Sequence, residues 1–385
     1  MRKVRAIQVG IGGIGSSHLR ALLANEKFGV AAVCDAYPRR PDVKAGLEKA
    51  KQSGIPVFTD YRQAFQEVDA EAAFICTPHH WHAPMTIAAL RRGMHVFVEK
   101  PAAPSVVDIR AMLSAQKKSR KAVLVGFGPT ASAECIGLKD HIAQGDLGEI
   151  REVVVVLNWY REDSYYRRSS WVGKKKVDGK WCRDGVLYNQ TSHSIAAALL
   201  LANTRPWPDM SVASRARAEL YRGHPVRRLE MEDLACAVLD LDAGSTRFYL
   251  YASTCNTTQN DVTWVKVFGD KGQATLGTGR IELYNGRSLA VKAPKVVSKH
   301  DNLYAAITRG APPYSPLAES AKVTETIDLI YRSTRTAAAL LRSRRGDVIR
   351  PVKWEQLGQL AEMMSRSAAQ RCLFSEVTDP HPWTR

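Results

Sequence analysis

The first third of the chain alternates short apolar runs with longer amphipathic segments. Five runs have the length of buried strands, and four segments between them have helical periodicity. The predicted strands are 5–9, 30–35, 72–77, 95–100 and 123–127, and the predicted helices are 17–25, 41–52, 83–92 and 106–119. Strands that alternate with helices form βαβ units. The pattern therefore predicts an α/β domain with a doubly wound parallel sheet over residues 1–127.

After residue 127 strands begin to follow one another without helices between them. Predicted strands lie at 150–159, 212–221, 234–242, 246–254 and 262–268, and predicted helices at 133–144, 186–202, 316–342 and 354–371. Residues 247–252 alternate with period two, as in a sheet with two unlike faces. This order of strands and helices predicts an α+β domain with an open antiparallel sheet over residues 128–345. A helical extension is expected over residues 346–385.

The composition is that of a globular protein with more than one core. The 385 residues are 45% apolar and 24% charged, and this length exceeds what one core usually supports. No run of 18 apolar residues occurs, so we predict no membrane span. The basic start at residues 1–5 precedes an apolar stretch that glycines interrupt, which favours a first strand over a signal peptide. We therefore expect a cytoplasmic location.

The formal net charge of +17 is compatible with nucleic acid, an anionic membrane surface or anionic cofactors. Basic residues are spread along the whole chain, and the densest run, residues 174–176, is typical of a solvated loop. We therefore expect no nucleic-acid partner. The seven cysteines include no C-x-x-C pair, so neither a disulfide framework nor a structural zinc site is indicated.

Residues 10–15, with the sequence Gly-Ile-Gly-Gly-Ile-Gly, match G-x-G-x-x-G between a predicted strand and a predicted helix. In such a turn the glycines allow a tight bend and a close approach of the backbone to a diphosphate at the helix N-terminus. Asp35 ends the second strand about 20 residues later, where it would bind a ribose hydroxyl. We predict a Rossmann domain that binds a dinucleotide through Gly10, Gly12, Gly13, Ile14, Gly15 and Asp35.

The choice between the two nicotinamide cofactors depends on residues near Asp35. Its negative charge would repel a 2′-phosphate and favours NAD. Arg39 and Arg40 follow closely, and arginine is the usual partner of a phosphate group. We predict NAD, with NADP as the alternative and Arg39 as a further cofactor residue.

Two later segments end strands of the predicted parallel sheet, at the edge where open α/β sheets bind ligands. The first contains Thr77, Pro78, His79 and His82; its histidines lack a fourth ligand at standard spacing, so we predict cofactor contacts and no metal. The second is Glu99-Lys100-Pro101. Partial desolvation beside a cationic nicotinamide should lower the pKa of Lys100 and make it a proton donor or acceptor. Glu99 and Lys100 are therefore also predicted to line the cofactor site.

These motifs resemble those of the family that contains glucose-fructose oxidoreductase, inositol 2-dehydrogenase and MocA proteins. The resemblance covers roughly residues 4 to 345 and is most specific in the E-K-P block. It implies an α+β second domain whose open sheet forms subunit contacts, so a homodimer or homotetramer is expected. It also implies chemistry at a ring carbon of a sugar or cyclic polyol, with Lys100 bound to the reacting hydroxyl.

The resemblance further implies a D-x-x-x-H pair on a helix of the second domain. In this chain His193 matches the histidine, and Asn189 stands where aspartate is usual. Residues four apart share one face of a helix, so both would address the same substrate. Asparagine still forms hydrogen bonds but cannot ionise. We predict Lys100, His193 and Asn189 as catalytic residues, and Arg161 and Tyr188 as additional substrate contacts beside them.

Three functions are consistent with this site. The first is hydride transfer between the nicotinamide and a ring carbon of a carbohydrate or polyol. In this reaction Lys100 and His193 would accept or donate the hydroxyl proton. The second is a redox-neutral oxidation and elimination at a glycoside, which Asn189 keeps open. The third is a regulator that binds nucleotide without catalysis, against which the intact Glu99-Lys100-Pro101 argues.

Overall fold

The computed structural model describes residues 2–224, 228–257, 261–340, 349–351 and 360–377. The chain divides into two compact units. The first contains residues 1–127 and 297–321, and the second contains residues 128–296 and 322–385. Residues 297–321, which the sequence analysis places in the second domain, group with the first unit in the structure.

The first unit is built on a six-stranded, fully parallel sheet with the order β3-β2-β1-β4-β5-β6. Its strands are β1 (Val4–Val9), β2 (Phe28–Cys34), β3 (Val57–Phe58), β4 (Ala72–Ile75), β5 (His95–Val98) and β6 (Val123–Val125). Its helices are α1 (Ile14–Ala24), α2 (Pro41–Gln52), α3 (Tyr61–Glu67), α4 (His79–Arg91) and α5 (Val106–Ser119). This order is that of a doubly wound sheet, and it confirms the predicted Rossmann architecture.

The returning segment of the first unit contains helix α9 (Lys299–Arg309). Leu303 and Tyr304 of this helix belong to the same apolar core as Phe28 and Phe74 of the sheet. The ring of Tyr304 meets that of Phe28 edge to face at 6.0 Å. This burial of large side chains against the parallel sheet explains why the segment joins the first unit.

The second unit contains a nine-stranded sheet with the order β16-β15-β14-β13-β7-β12-β11-β10-β17. The strands are β7 (Ile150–Asn158), β10 (Ala213–Arg222), β11 (Leu234–Leu241), β12 (Thr246–Ser253), β13 (Val262–Gly269), β14 (Gly272–Thr275), β15 (Arg280–Leu283), β16 (Ser288–Ala290) and β17 (Ile349–Pro351). The pairs β7–β12 and β10–β17 are parallel and the others antiparallel. The α+β prediction is confirmed, with a sheet that is mixed and mostly antiparallel.

The remaining elements of the second unit precede, follow or bridge this sheet. They are α6 (Ala133–Ala143), α7 (Asp163–Arg167), a hairpin of β8 (Lys176–Val177) and β9 (Lys180–Trp181), a π-helical turn (Leu187–Thr191), α8 (Ser192–Leu201) and α11 (Leu360–Gln370). Helix α10 (Leu317–Leu340) starts in the first unit and continues in the second. Residues 354–359 of the last predicted helix lie outside the described residues.

Helix α11 packs on one face of the large sheet. Met363 and Met364 share an apolar core with Tyr221, Tyr249 and Tyr251 of the strands. The predicted C-terminal extension therefore covers part of this sheet with the chain's own side chains. Contact between subunits through the nine-stranded sheet stays a prediction. Such a contact would use the part of the sheet that α11 does not cover.

The described residues contain neither a membrane-spanning helix nor a cluster of metal-binding side chains. No helix among them is both long and apolar enough to cross a bilayer. No group of three or more histidine, cysteine, aspartate or glutamate side chains in the same part of the chain is arranged to hold a metal ion.

Candidate functional site

The glycine turn between β1 and α1 depends on two close backbone contacts. Gly10 has a positive φ of 81°, and a β-carbon there would overlap the carbonyl group of Cys76. A β-carbon on Gly15 would overlap the carbonyl oxygen of Gly10. Glycine is therefore required at both positions for the turn to close tightly beneath the helix.

The N-terminus of α1 is open where a diphosphate would bind. The helix begins at Ile14, and its N-cap residue Gly13 offers no side chain to the first turn. A β-carbon on Gly13 would meet no atom of the described residues within 4 Å. Uncapped N–H groups and the positive end of the helix dipole bind phosphate groups. Gly12, Gly13 and Ile14 thus fit the role of holding a dinucleotide diphosphate.

Asp35 directly follows β2, and backbone hydrogen bonds fix its carboxylate. Oδ2 accepts from the N–H of Ile11 at 3.0 Å, and Oδ1 accepts from the N–H of Tyr37 at 2.9 Å. Each carboxylate oxygen has a second lone pair, so Asp35 can still accept from a ribose hydroxyl. The carboxylate is therefore fixed beside the glycine turn in the position that the sequence predicts.

Of the two arginines after Asp35, Arg40 is already paired. Its guanidinium forms a bidentate ion pair with Asp42 at 2.7 and 3.0 Å. The carboxylate of Asp42 lies against Gly12, where a β-carbon would be only 2.6 Å from Oδ2. Arg39 is exposed. Two carboxylates, those of Asp35 and Asp42, therefore lie beside the turn.

His79 and His82 form part of the first turn of α4, directly after Pro78. The ring nitrogens of the buried His82 each lie 2.7 Å from a carbonyl oxygen, one of Pro101 and one of Thr77. Burial lowers the pKa of His82. The imidazole of His82 thus links the loop after β4 to the loop after β5, and its contact with the cofactor stays a prediction. His79 is also buried, whereas Thr77 and Pro78 keep exposed surface.

Glu99 points into the interior of the first unit. Its Oε1 lies 2.9 Å from Nε2 of His18, and its Oε2 accepts from the N–H of Lys100 at 3.1 Å. Burial alone would raise the pKa of Glu99, but the hydrogen bond with His18 and the charge of Lys299 lower it to about 2. The carboxylate of Glu99 therefore joins α1 to the backbone of the partly exposed Lys100, and its place in the lining of the cofactor site stays a prediction.

A second imidazole extends this cluster. Nδ1 of His18 lies 3.2 Å from Nε2 of His300, whose ring stacks on Phe74 at 5.5 Å between centroids. Burial lowers the pKa of His300 to about 4, so the ring is neutral at pH 7. Sequence reasoning did not assign a role to either histidine. The position of His18 one turn after the glycine turn was a usable signal, but no local pattern connects it to a residue 282 positions away.

In the second unit, the predicted helix over 186–202 starts with a π-helical turn and continues as α8. Such turns are frequent at functional sites. Asn189 and His193 both keep partly exposed side chains. Tyr188 is fully buried, and its ring stacks on Tyr331 at 6.1 Å between centroids. This packing makes Tyr188 a support for the turn, and its contact with substrate stays a prediction.

Glu232 is a buried carboxylate next to the π-helical turn. Its Oε1 accepts from the N–H of Leu187 at 3.2 Å, and its backbone carbonyl accepts from the N–H of Val186 at 2.9 Å. A β-carbon on Gly185 would overlap the carboxylate, so this approach requires glycine. Burial raises the pKa of Glu232 to about 7, although the nearby Tyr331 side chain opposes that change.

The hydroxyl of Tyr165 connects the loop after β7 to the π-helical turn. Its oxygen accepts from Asn189 Nδ2 at 3.0 Å and from Gln190 Nε2 at 2.8 Å. Burial raises the pKa of Tyr165 to about 12, so the phenol is protonated at pH 7. The aromatic content of this loop was visible in the sequence, but the bonds from Tyr165 to Asn189 and Gln190 were not.

Arg161, the other predicted substrate contact, is held by its surroundings. Its NH1 donates to the carbonyl of Tyr160 at 2.6 Å and to Asp261 at 3.0 Å. The guanidinium lies 4.5 Å from the ring centroid of Trp159 and 5.8 Å from that of Tyr165. Its charge is therefore partly neutralised by Asp261.

Two family models together match most of the chain. One, described as the NAD-binding Rossmann fold of an oxidoreductase family, matches residues 4–127, and the other, its C-terminal alpha/beta domain, matches residues 139–340. The chain belongs to the Gfo/Idh/MocA oxidoreductase family. The resemblance that the motifs predict is confirmed, and the first unit of this Gfo/Idh/MocA protein is an NAD-binding Rossmann domain.

Individual relatives match shorter parts of the chain. Inositol 2-dehydrogenase of Salmonella typhimurium is 35% identical over 144 residues, which are 37% of this chain and 42% of that protein. Glycosyl hydrolase family 109 protein 1 of Akkermansia muciniphila is 28% identical over 156 residues, 38% of this chain and 32% of that protein. The alignments thus span less than half the length of these curated relatives.

A structural comparison supports the fold along most of the chain. The WlbA dehydrogenase of Bordetella pertussis, solved in complex with NADH and UDP-GlcNAcA, aligns with a TM-score of 0.71 at 24% identity. The alignment covers 87% of this chain and 98% of that one. Both units of the Gfo/Idh/MocA chain therefore have the fold of a known dehydrogenase.

Proposed function

We propose that the protein transfers a hydride between a nicotinamide cofactor and a ring carbon of a sugar or cyclic polyol. The observation that carries the proposal is the anchored Lys100, whose backbone N–H bonds to Glu99 at the end of a parallel strand. Family membership and the NAD-binding first unit support it. So does inositol 2-dehydrogenase, a relative whose name states a polyol substrate.

In this proposal each residue has a distinct task. The ammonium group of Lys100 donates a hydrogen bond to the oxygen of the reacting hydroxyl and stabilises negative charge on it as the proton leaves. The imidazole of His193 accepts that proton in oxidation and returns it in reduction. Asn189 orients the substrate through hydrogen bonds, without the charge by which an aspartate would stabilise an imidazolium. Bound NAD supplies the hydride acceptor.

The test is the variant Lys100→Met, assayed against a panel of sugars, polyols and their acids. Turnover should fall by about a hundredfold or more, since a positioned proton-transfer group contributes on that order. Binding of NADH, followed by its fluorescence, should survive. Lys118→Met, at an exposed position in α5, is the matched control. Near-normal turnover of Lys100→Met would exclude the proposed role.

We further propose NAD as the preferred cofactor. Asp35 places a negative charge beside the glycine turn, and the ion pair with Asp42 occupies the guanidinium of Arg40. A 2′-phosphate would meet the Asp35 carboxylate, so NADP should bind more weakly. Arg39 remains exposed as the residue that could favour NADP.

A redox-neutral oxidation and elimination at a glycoside is the second candidate. Two observations favour it: Asn189 replaces the usual aspartate, and one relative is named as a glycosyl hydrolase family 109 protein. Product analysis separates the two reactions. Release of the glycosidic substituent without accumulation of NADH indicates elimination, whereas stoichiometric NADH indicates net oxidation. If no panel member changed the redox state of the cofactor or released a product, a regulatory role would replace both.

A further inference from the structure

Cations are concentrated on the loop between β7 and the π-helical turn. Residues 159–184 contain eight lysines and arginines against four acidic residues. Hydride transfer to a neutral sugar does not require this excess. The loop also contains Tyr165, whose hydroxyl bonds directly to Asn189. The excess positive charge therefore lies on the same segment as a residue that contacts the candidate site.

Most of the arginines on this loop are paired with carboxylates. Arg161 pairs with Asp261 at 3.0 Å, Arg167 with Asp163 at 3.1 Å, and Arg183 with Asp328 at 3.1 Å. For Arg168, by contrast, no acidic side chain among the described residues lies within ion-pair distance. An unneutralised guanidinium on a cationic loop attracts anions.

Arg168 is held in place by Tyr165. Its guanidinium carbon lies 3.9 Å from the ring centroid, and its NH2 donates to the Tyr165 hydroxyl at 3.0 Å. Stacking and this bond fix one edge of the guanidinium plane, while other N–H groups are left to donate to a ligand. Asn189, a predicted catalytic residue, donates to the same hydroxyl. The Tyr165 oxygen therefore lies between the Arg168 guanidinium and the Asn189 side chain.

The Tyr165 hydroxyl is surrounded by three side-chain nitrogens. Its oxygen lies 3.0 Å from Arg168 NH2, 3.0 Å from Asn189 Nδ2 and 2.8 Å from Gln190 Nε2. A phenol oxygen has two lone pairs, so these neighbours already occupy the hydroxyl. The remaining N–H groups of Arg168 are therefore the donors for a ligand.

We propose that the substrate ring carries an anionic group, a carboxylate or a phosphate, and that Arg168, held in place by Tyr165, binds this group. Arginine binds both kinds of anion through parallel N–H bonds, and the shared contact of Arg168 and Asn189 with the Tyr165 hydroxyl would bring the bound anion close to Asn189. The inference rests on the proposed function only for the identity of the ring as a sugar or polyol. It identifies an anion subsite that the family motifs do not specify.

The experiment compares matched ligands on the NAD-loaded protein. Calorimetry would measure binding of galactose, galacturonate and galactose 6-phosphate to the wild type, Arg168→Gln, Arg168→Lys and Arg167→Gln. The wild type should bind one anionic ligand at least about tenfold more tightly than galactose, as expected for a charge-assisted pair. That preference should disappear in Arg168→Gln, persist in part in Arg168→Lys and remain in the control Arg167→Gln.

Each binding result either supports or overturns the proposed anion site. A preference for galacturonate identifies a carboxylate ligand, and a preference for galactose 6-phosphate identifies a phosphate. Equal binding of all three ligands to the wild type overturns the inference, as does a preference that survives in Arg168→Gln or disappears equally in Arg167→Gln. Arg168-dependent binding without any formation of NADH would support the anion subsite while contradicting the proposed hydride transfer.

Discussion

His18 Nε2 lies 2.9 Å from Glu99 Oε1, and this contact joins the helix that follows the glycine turn to the strand end that carries Lys100. The second oxygen of Glu99 accepts from the backbone N–H of Lys100. His18 is therefore a positioning residue that acts through Glu99. The geometry connects cofactor binding at the start of α1 with the orientation of Lys100.

The first prediction concerns His18→Leu. Loss of the donor to Glu99 should loosen the backbone at Lys100 and lower turnover by roughly tenfold to a hundredfold, since small misplacements of a catalytic group cost that much. Hydrogen exchange of the Lys100 amide should become faster. His18→Gln, which retains a donor, should recover part of both. Normal turnover together with unchanged exchange in His18→Leu would contradict this role.

A second prediction follows from the Asp35 carboxylate beside the turn. Asp35→Ser should weaken NAD binding, because a strong acceptor for the ribose hydroxyls is lost, and should improve NADP relative to NAD by about tenfold. The ratio of kcat/KM for the two cofactors is the measurement. Asp69→Ser, at an exposed position of the same unit, is the control. An unchanged ratio would show that Asp35 does not determine the choice.

The sequence predicted the elements whose local signals agree with their tertiary packing. Helix α2 starts at Pro41 as predicted, because proline fixes φ at the first helical position. Asp35 lies beside the glycine turn, and the sequence can predict this because dinucleotide binding imposes both residue types and spacing. Boundaries at strand ends shifted by a few residues, as at β5, which ends at Val98 before the Glu99-Lys100 pair.

What the sequence missed depends on long-range packing. The amphipathic pattern of α9 would suit packing on any apolar surface. The sequence around Leu303 therefore does not indicate that this residue packs against the parallel sheet. The π-helical turn at Leu187–Thr191 has the periodicity of an ordinary helix, and it was predicted as one. Its support, Glu232, is 45 residues from Leu187 along the chain. Buried polar partners of this kind are visible only in the fold.

Lys139 provides a third prediction, on stability. It is fully buried in α6, and its Nζ donates to the backbone and side-chain oxygens of Asn203 at 2.7 and 3.0 Å. Burial, together with the charge of Arg205, lowers the pKa of Lys139 from 10.5 to about 7. The unfolded chain therefore binds more protons at this residue between those values, and stability should rise with pH across that window.

Lys139→Met should lack this rise. Urea unfolding from pH 7 to pH 10 would show the stability of the wild type increasing relative to the variant. Lys295→Met, at an exposed position of the same unit, should follow the wild type at every pH. A constant difference between the wild type and Lys139→Met would show that the buried ammonium keeps its ordinary pKa.

The last prediction concerns Glu232, whose pKa burial raises from 4.5 to about 7. The folded state therefore binds more protons at this carboxyl than the unfolded chain between those values, so stability should fall as pH rises through the window. Glu232→Gln, which cannot ionise, should gain stability relative to the wild type from pH 4.5 to pH 7 in urea unfolding. Glu26→Gln, at an exposed position, should show no such trend. A stability difference independent of pH would mean that Glu232 is already ionised when folded, and that the π-helical turn packs on a charged carboxylate.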